Sequence, residues 1–136
     1  MPKVTIDGQS IEVPEGTTIL QAARMMGGPS VPPAMCYYSK LETSGGYCRT
    51  CIVKVTKGSE KDPRPMPKPV ASCRTPIMDG MEVQNLDAPD LLEARKGVVE
   101  FLLINHQELY KFILLLLVLY LLKMFKIHRV VYQTVH

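Results

Sequence analysis

Tryptophan is absent from this 136-residue sequence, and aromatic residues of all kinds make up only 7% of it. The 16 basic and 13 acidic residues are scattered along the chain and leave a formal charge of +3. Nucleic-acid binding, which depends on clustered basic side chains, therefore gains little support. The sequence also lacks a Gly-x-Gly-x-x-Gly turn after a strand, so it offers no typical site for a dinucleotide cofactor.

A secretory signal is missing as well. The first ten residues alternate polar and apolar types, without a long apolar run or a small-residue cleavage site. We therefore expect the domain to stay on the cytosolic side of the membrane. In a reducing compartment, cysteines are more often metal ligands or reactive thiols than partners in disulfides, so the four cysteines of this chain need another explanation.

The amino-terminal segment predicts a β-hairpin followed by a short helix. Apolar residues alternate with polar ones on both sides of Asp7 and Gly8, a dipeptide that readily adopts the backbone angles of a tight turn. Thr18 and Gln21 have the spacing of a capping box, and the apolar residues after Thr18 keep helical spacing as far as Met26. A pair of glycines then ends the helix.

Two irregular segments follow. Residues 31–51 have no lasting periodicity, and Ser44, Gly45 and Gly46 within them favour special backbone angles. This segment is predicted to be a loop, and it contains three of the four cysteines. Residues 57–69 include four prolines and are predicted to form an exposed, extended insert.

The remaining strand-like runs lie on both sides of this insert. They occupy residues 52–56, 70–71 and 81–84. With the hairpin and the helix, they predict a small α+β domain over residues 1–84, in which a mixed sheet folds around one helix. Apolar residues at helical spacing predict a further helix over residues 91–104, although Gly97 lowers its intrinsic stability by about 1 kcal/mol relative to alanine.

The spacing of the cysteines, C-x11-C-x2-C-x21-C, is the main chemical signal. Cys36, Cys48, Cys51 and Cys73 supply the four thiolates that one [2Fe-2S] cluster requires, two for each iron. Four thiolates also satisfy tetrahedral zinc, although zinc sites more often use two short Cys-x-x-Cys knuckles. The spacing therefore favours an iron-sulfur cluster, and it leaves open a zinc-stabilised interaction module and a set of buried or redox-active thiols.

Several neighbours of the cysteines have predicted roles. Gly45 and Gly46 would let backbone amides approach the sulfur atoms, where hydrogen bonds raise the reduction potential. Three tyrosines in the loop are expected to act as ordinary anchors more than as a shield for a cluster. They are Tyr37, Tyr38 and Tyr47. Arg49 is expected to be exposed, with no specific role in binding the cluster.

Six short stretches carry a resemblance to a known family. They are DGQ at 7–9, EGTT at 15–18, CY at 36–37, GYCRTC at 46–51, ASC at 71–73 and ARKGVVEFLLINH at 94–106. Over residues 4–106 the sequence resembles the amino-terminal region of the large iron-sulfur subunit, of the 75 kDa type, of respiratory complex I, the NADH-quinone oxidoreductase of bacteria. Similar stretches occur in the diaphorase subunits of NAD-linked hydrogenases and in formate dehydrogenases.

This resemblance implies a β-grasp ferredoxin domain in which Cys36, Cys48, Cys51 and Cys73 are the [2Fe-2S] ligands. It also implies a one-electron carrier in the electron-input module of complex I, where electrons pass from NADH and flavin toward quinone. The NADH and flavin sites would lie on a partner subunit. We therefore expect an electron-transfer subunit of an NADH:quinone oxidoreductase, not a self-sufficient enzyme.

The resemblance ends at His106. In the family, a histidine at this place and three cysteines shortly after it ligate a [4Fe-4S] cluster, but no cysteine follows Cys73 in this chain. We expect residues 85–106 to be a helical linker that begins such a [4Fe-4S] domain without completing it. The second, [4Fe-4S] cluster is expected to be absent, and His106 to be solvated or to cap a helix.

Residues 107–136 differ from the family in composition. The segment contains no Gly, Pro, Ala, Ser, Asp or Cys, and residues 112–122 are wholly apolar, which predicts an apolar helical tail. Residues 109–127 reach the length of a membrane span if their lysines extend to the interfaces. We predict a peripheral place on the cytoplasmic side of the inner membrane, with 109–127 as a candidate anchor; an unselected tail from a frameshift in a truncated subunit is the interpretation that we favour.

Overall fold

The computed structural model describes residues 1–40, 45–86, 88–104, 106, 111–121 and 123. Within these residues the chain forms five strands, two bounded α-helices and one short 3-10 helix, and residues 111–121 are helical as well. In chain order they are β1 (Lys3–Ile6), β2 (Gln9–Glu12), α1 (Ile19–Met26), the 3-10 helix (Gly28–Ser30), β3 (Ile52–Lys57), β4 (Val70–Ala71), β5 (Met81–Gln84) and α2 (Pro89–Ile104). The predicted α+β class is confirmed. Ser44, which is part of the predicted loop, lies outside the described residues.

The five strands form one mixed sheet in the order β2-β1-β5-β3-β4. The first and last strands of the chain, β1 and β5, are parallel neighbours, and every other neighbouring pair is antiparallel. The hairpin between β1 and β2 turns at Asp7 and Gly8, whose φ angles of 47° and 82° are both left-handed. Asp7 Oδ1 also accepts a hydrogen bond of 2.6 Å from the backbone N–H of Asn85, which ties the hairpin turn to the end of β5.

Helix α1 covers one face of the sheet. Its predicted capping box is present: Thr18 Oγ1 accepts from the Gln21 N–H at 3.3 Å, and Gln21 Oε1 accepts from the Thr18 N–H at 2.9 Å. The buried side of α1 packs with inward residues of β1, β3 and β5 in one apolar core. This core contains Val4, Ile6, Val13, Ile19, Ala22, Ala23, Val53, Val55, Ile77, Met81 and Val83.

Helix α2 joins the sheet at the start of β3. Leu91 is 1% exposed and packs with Ala88 against Ile52, while the next residue, Leu92, is 56% exposed. An ion pair of 2.8 Å between Lys54 and Asp90 lies at the surface of the same contact. The first turns of the helix therefore belong to the same folded unit as the sheet.

The chain divides into two compact units, Met1–Val99 and Glu100–His136. In the second unit, residues 111–121 are helical and their side chains are exposed. Within the part of the chain that the structure describes, no helix has both the length and the apolar character needed to cross a membrane. The predicted span 109–127 and the predicted tail 107–136 lie partly outside the described residues, and the domain boundaries at 84 and 106 stay predictions.

Candidate metal centre

Two cysteines lie at one end of the β3-β4 pair. Cys51 directly precedes β3, and Cys73 follows β4 by two residues. Because the two strands are antiparallel, with Ile52 opposite Ala71, the beginning of β3 and the end of β4 are at the same end of the pair. The sheet therefore brings together two thiols that are separated by 21 residues in the sequence.

Cys51 and Cys73 are buried, at 0% and 2% exposed. They share a small apolar cluster with Leu20 of α1 and with Ala71. Ser72 fixes this region, because its backbone N–H and its hydroxyl donate to the carbonyl oxygen of Cys51 at 3.1 and 2.7 Å. These two thiols are thus held in place by the sheet, the helix and a buried hydroxyl.

Cys36 and Cys48 form a second pair, nearer the surface. Both are half-buried, and the backbone and side chain of Cys36 hydrogen-bond to Cys48. Thr50 is 2% exposed, and its Oγ1 lies 3.1 Å from Cys48 Sγ. The same oxygen accepts a hydrogen bond of 3.3 Å from the backbone N–H of Met35. Because the oxygen is the acceptor in that bond, the hydroxyl proton of Thr50 is available to donate to the sulfur of Cys48. Thr50 thus joins the two distant parts of the loop.

The surroundings of Cys48 favour its thiolate. Partial burial raises the pKa of Cys48, but the hydrogen bonds from Thr50 and Cys36 outweigh this effect and together lower the pKa to about 6. Only the deprotonated sulfur is a metal ligand, so a thiolate already present near neutral pH is suited to binding iron. The hydrogen bonds that lower the pKa of Cys48 come from Thr50 and Cys36. The approach of backbone amides at Gly45 and Gly46 to the sulfur atoms stays a prediction.

The four predicted ligands are thiols, and none of them is in a disulfide. The structure arranges them as two pairs, one half-buried and one buried. Among the described residues, no three Cys, His, Asp or Glu side chains are grouped closely enough to hold a single metal ion. A set of four thiols in two pairs has the donor chemistry that a two-iron cluster requires.

Tyr37 connects the two pairs. It is half-buried, follows Cys36 in the chain and packs against the cluster that contains Cys51 and Cys73. Helix α1 holds it: the guanidinium of Arg24 lies 4.6 Å from the centre of its ring, and Gln21 Nε2 donates to its hydroxyl at 3.4 Å. Tyr37 is therefore an anchor that also covers the buried thiols.

The turn around Cys48 is tightly bent and alternates buried with exposed residues. Tyr38 and Tyr47 are 55% and 87% exposed, so these two tyrosines do not cover the thiols. Gly46 has a φ of 64° and is buried, and a Cβ there would lie 3.7 Å from the Cβ of Ala71. Arg49 is exposed, and its φ of 59° is a left-handed backbone conformation that costs a non-glycine residue about 1 kcal/mol.

His106 is exposed, and its backbone N–H donates to the carbonyl oxygen of Leu103 at 3.0 Å, at the end of α2. This environment agrees with the prediction of a solvated residue near a helix end.

Sequence reasoning missed several residues that support the thiols. Thr50 and Ser72 stand next to predicted ligands, but nothing in a sequence distinguishes a buried supporting hydroxyl from an exposed one. Arg95 contacts the end of the cysteine loop through Ile52, and Asn85 contacts its beginning through Ser30, but both residues are distant in sequence from every cysteine. The only signal for Arg95 was its place in the stretch ARKGVVEFLLINH, which by itself indicates no chemical role.

Comparison with known proteins gives consistent matches. The profile of a family described as a 2Fe-2S iron-sulfur cluster binding domain matches residues 2–87. The G subunit of the NADH-quinone oxidoreductase of Rickettsia bellii is 45% identical over 106 residues, which are 78% of this chain and 14% of that protein. The NADH-ubiquinone oxidoreductase 75 kDa subunit of Reclinomonas americana is 44% identical over the same share of each chain. This chain thus covers only 14% of the length of these relatives.

A solved structure has a similar fold. In the crystal structure of an NAD+-reducing [NiFe]-hydrogenase in the H2-reduced state, one chain superposes on this protein with a TM-score of 0.57 and 28% sequence identity. The match covers 74% of this chain and 37% of the hydrogenase chain.

Proposed function

The chain belongs to the family of 2Fe-2S iron-sulfur cluster binding domains, and from this premise we propose that Cys36, Cys48, Cys51 and Cys73 hold one [2Fe-2S] cluster. The resemblance to the large iron-sulfur subunit of NADH-quinone oxidoreductase is confirmed by the relatives of 42–45% identity. The zinc-stabilised alternative gains no support from any of the matches. For the fold, we propose the β-grasp ferredoxin arrangement of the mixed sheet and α1.

The observation that carries this proposal is the division of four thiols into two pairs. A [2Fe-2S] cluster takes two thiolates for each iron, so Cys36 with Cys48 suits one iron and Cys51 with Cys73 suits the other. Thr50 joins the two parts of the loop that carry the first pair, and Tyr37 packs from that loop against the second pair. The lowered pKa of Cys48 agrees with this role.

When bound, such a cluster supplies reversible one-electron chemistry. The residues of this chain hold the sulfur atoms, and Leu20, Ala71 and Tyr37 exclude water from the buried pair. The more exposed pair, Cys36 and Cys48, provides a path for electrons to a partner at the surface. We infer that the protein is an electron carrier and not a self-sufficient enzyme.

The relatives named above are subunits of NADH-quinone or NADH-ubiquinone oxidoreductases, and the hydrogenase is NAD+-reducing. We propose that this chain works in a similar multi-subunit oxidoreductase, with the NADH and flavin sites on a partner subunit. Electrons would then pass from NADH and flavin through this domain toward quinone. A place on the cytoplasmic side of the membrane, an anchor at 109–127 and the lack of a second, [4Fe-4S] cluster all stay predictions.

Anaerobic reconstitution tests the proposal. The purified chain, supplied with iron and sulfide, should bind two irons and two sulfides per chain, turn red-brown and show a rhombic electron paramagnetic resonance signal after reduction. Replacing any one of the four cysteines with serine should reduce the iron content, whereas the matched control Ser59→Ala, in the proline-rich insert, should leave it unchanged. Stoichiometric zinc without iron, in a colourless protein, would disprove the proposal.

A further inference from the structure

A chain of hydrogen bonds closes the base of the cysteine loop, residues 31–51. Ser30 lies directly before this loop, and Ile52 directly after it. Asn85 Nδ2 donates to the Ser30 carbonyl at 3.1 Å, while Arg95 Nε and Nη2 donate to the Ile52 carbonyl at 3.1 and 2.5 Å. Arg95 Nη2 also donates to Asn85 Oδ1, which links the two contacts. The entrance and the exit of the loop are therefore held by one side-chain bridge.

Both members of this bridge are fixed by their surroundings. Asn85 is 2% exposed, and its backbone N–H donates to Asp7 Oδ1 at 2.6 Å. Arg95 lies one helical turn after Leu91, so it is on the side of α2 that packs against Ile52. Side chains whose own positions are fixed by packing and by further hydrogen bonds can hold a site accurately.

Arg95 also brings a permanent positive charge close to a predicted ligand. Burial lowers the pKa of Arg95, while the negative charges of Cys51 and Asp7 raise it. An arginine stays protonated under these conditions, so its charge does not depend on pH in the ordinary range. The guanidinium binds the carbonyl of Ile52, which is the residue after Cys51, so its positive charge lies one residue from a buried thiol and interacts with Cys51 through charge.

We propose that Arg95 is a positioning residue for the cluster, one that holds the exit of the cysteine loop and raises the reduction potential by its charge. The proposal rests on the function proposed above. When one electron reduces one of the two irons from Fe3+ to Fe2+, the site gains one negative charge and no proton moves. A nearby positive charge stabilises the reduced form more than the oxidised form.

The reduction potential tests the electrostatic part. In dithionite titrations of the reconstituted chain, Arg95→Gln should lower the equilibrium constant for reduction by about three- to tenfold, tenfold being 59 mV for a one-electron couple. Arg95→Lys keeps the charge and should restore most of the potential. Lys96→Gln removes the same charge from the exposed next residue and should leave the potential unchanged. Equal potentials for Arg95→Gln and the unaltered protein would overturn this part.

Hydrogen exchange of the cluster-free chain tests the bridge without any iron. Arg95→Gln should speed amide exchange at residues 45–53, because the exit of the loop is no longer held, and Lys96→Gln should not. Arg95→Lys should give an intermediate rate, because one ammonium group cannot reproduce the two-pronged contact with Ile52. Unchanged exchange in Arg95→Gln would overturn the positioning role. A failure to bind iron would disprove the proposed function, but it would leave this measurement valid.

Discussion

At the scale of single residues, the site depends on side chains that are not ligands. Thr50 connects Met35 to Cys48 through one oxygen, and Ser72 fixes the carbonyl of Cys51. Both residues are almost fully buried. Because a buried hydroxyl is costly unless it is hydrogen-bonded, each one favours a single arrangement of the loop that it joins.

The reactivity of Cys48 gives a prediction at this scale. In the cluster-free protein its pKa of about 6 lies below that of an ordinary thiol, so its alkylation rate should rise with pH, reach its midpoint near pH 6 and level off at higher pH. Thr50→Val removes the hydroxyl that stabilises the thiolate and should move this midpoint to higher pH. The measurement is iodoacetamide labelling of Cys48, followed by peptide mass spectrometry.

The control for this measurement is Thr56→Val. Thr56 is on β3, and its hydroxyl donates to the Glu82 carbonyl at 3.3 Å instead of to a sulfur. Its midpoint should equal that of the unaltered protein. If Thr50→Val also keeps the midpoint near pH 6, the hydroxyl of Thr50 has no part in lowering the pKa of Cys48.

At the scale of the elements, the first turns of α2 are attached to the sheet through specific contacts at the start of β3. Its contact depends on one buried leucine, on an exposed ion pair of 2.8 Å and on the hydrogen bonds of Arg95. Surface ion pairs of this kind contribute at most about 1 kcal/mol, so the buried leucine is the main source of the attachment.

Substitution of two adjacent leucines tests this attachment. Leu91→Ala should lower the free energy of unfolding by about 2–5 kcal/mol, the usual cost of removing a buried leucine side chain. Leu92→Ala, at the exposed neighbouring position, should change it by less than about 0.5 kcal/mol. Urea unfolding followed by circular dichroism measures both values, and equal effects would show that α2 does not pack through Leu91.

At the scale of the whole molecule, the question is where the cluster-binding unit ends. Sequence patterning predicts a domain over residues 1–84, whereas the compact unit in the structure is Met1–Val99. The additional residues include Ala88, Leu91 and Arg95, which contact the start of β3. Those contacts place the first turns of α2 within the unit that holds the cysteines.

Two shortened chains test this boundary. A chain that ends at Val99 should unfold at the same urea concentration as the full chain, because it keeps the contacts of α2 with Ile52. A chain that ends at Gln84 should lose about 2 kcal/mol or more, from the burial of Leu91 and the hydrogen bonds of Arg95. Equal stability of the two shortened chains would support the boundary at residue 84.

The sequence by itself determined the local elements and the identity of the thiols. The hairpin at Asp7 and Gly8, the capping box at Thr18 and the strand-like runs depend on neighbouring residues, and all are present in the structure. The spacing of the cysteines and the family resemblance indicated the cluster, and the matches with known 2Fe-2S domains agree.

Tertiary structure alone decided which groups support those thiols. The pairing of Cys51 with Cys73 follows from the antiparallel pairing of β3 with β4, and the bridge from Ser30 to Ile52 joins residues from four separate segments. Such contacts connect residues tens of positions apart, and no local pattern encodes the pairing that brings them together. For this reason the sequence could predict ligands for the cluster but not the supporting contacts of Thr50, Asn85 or Arg95.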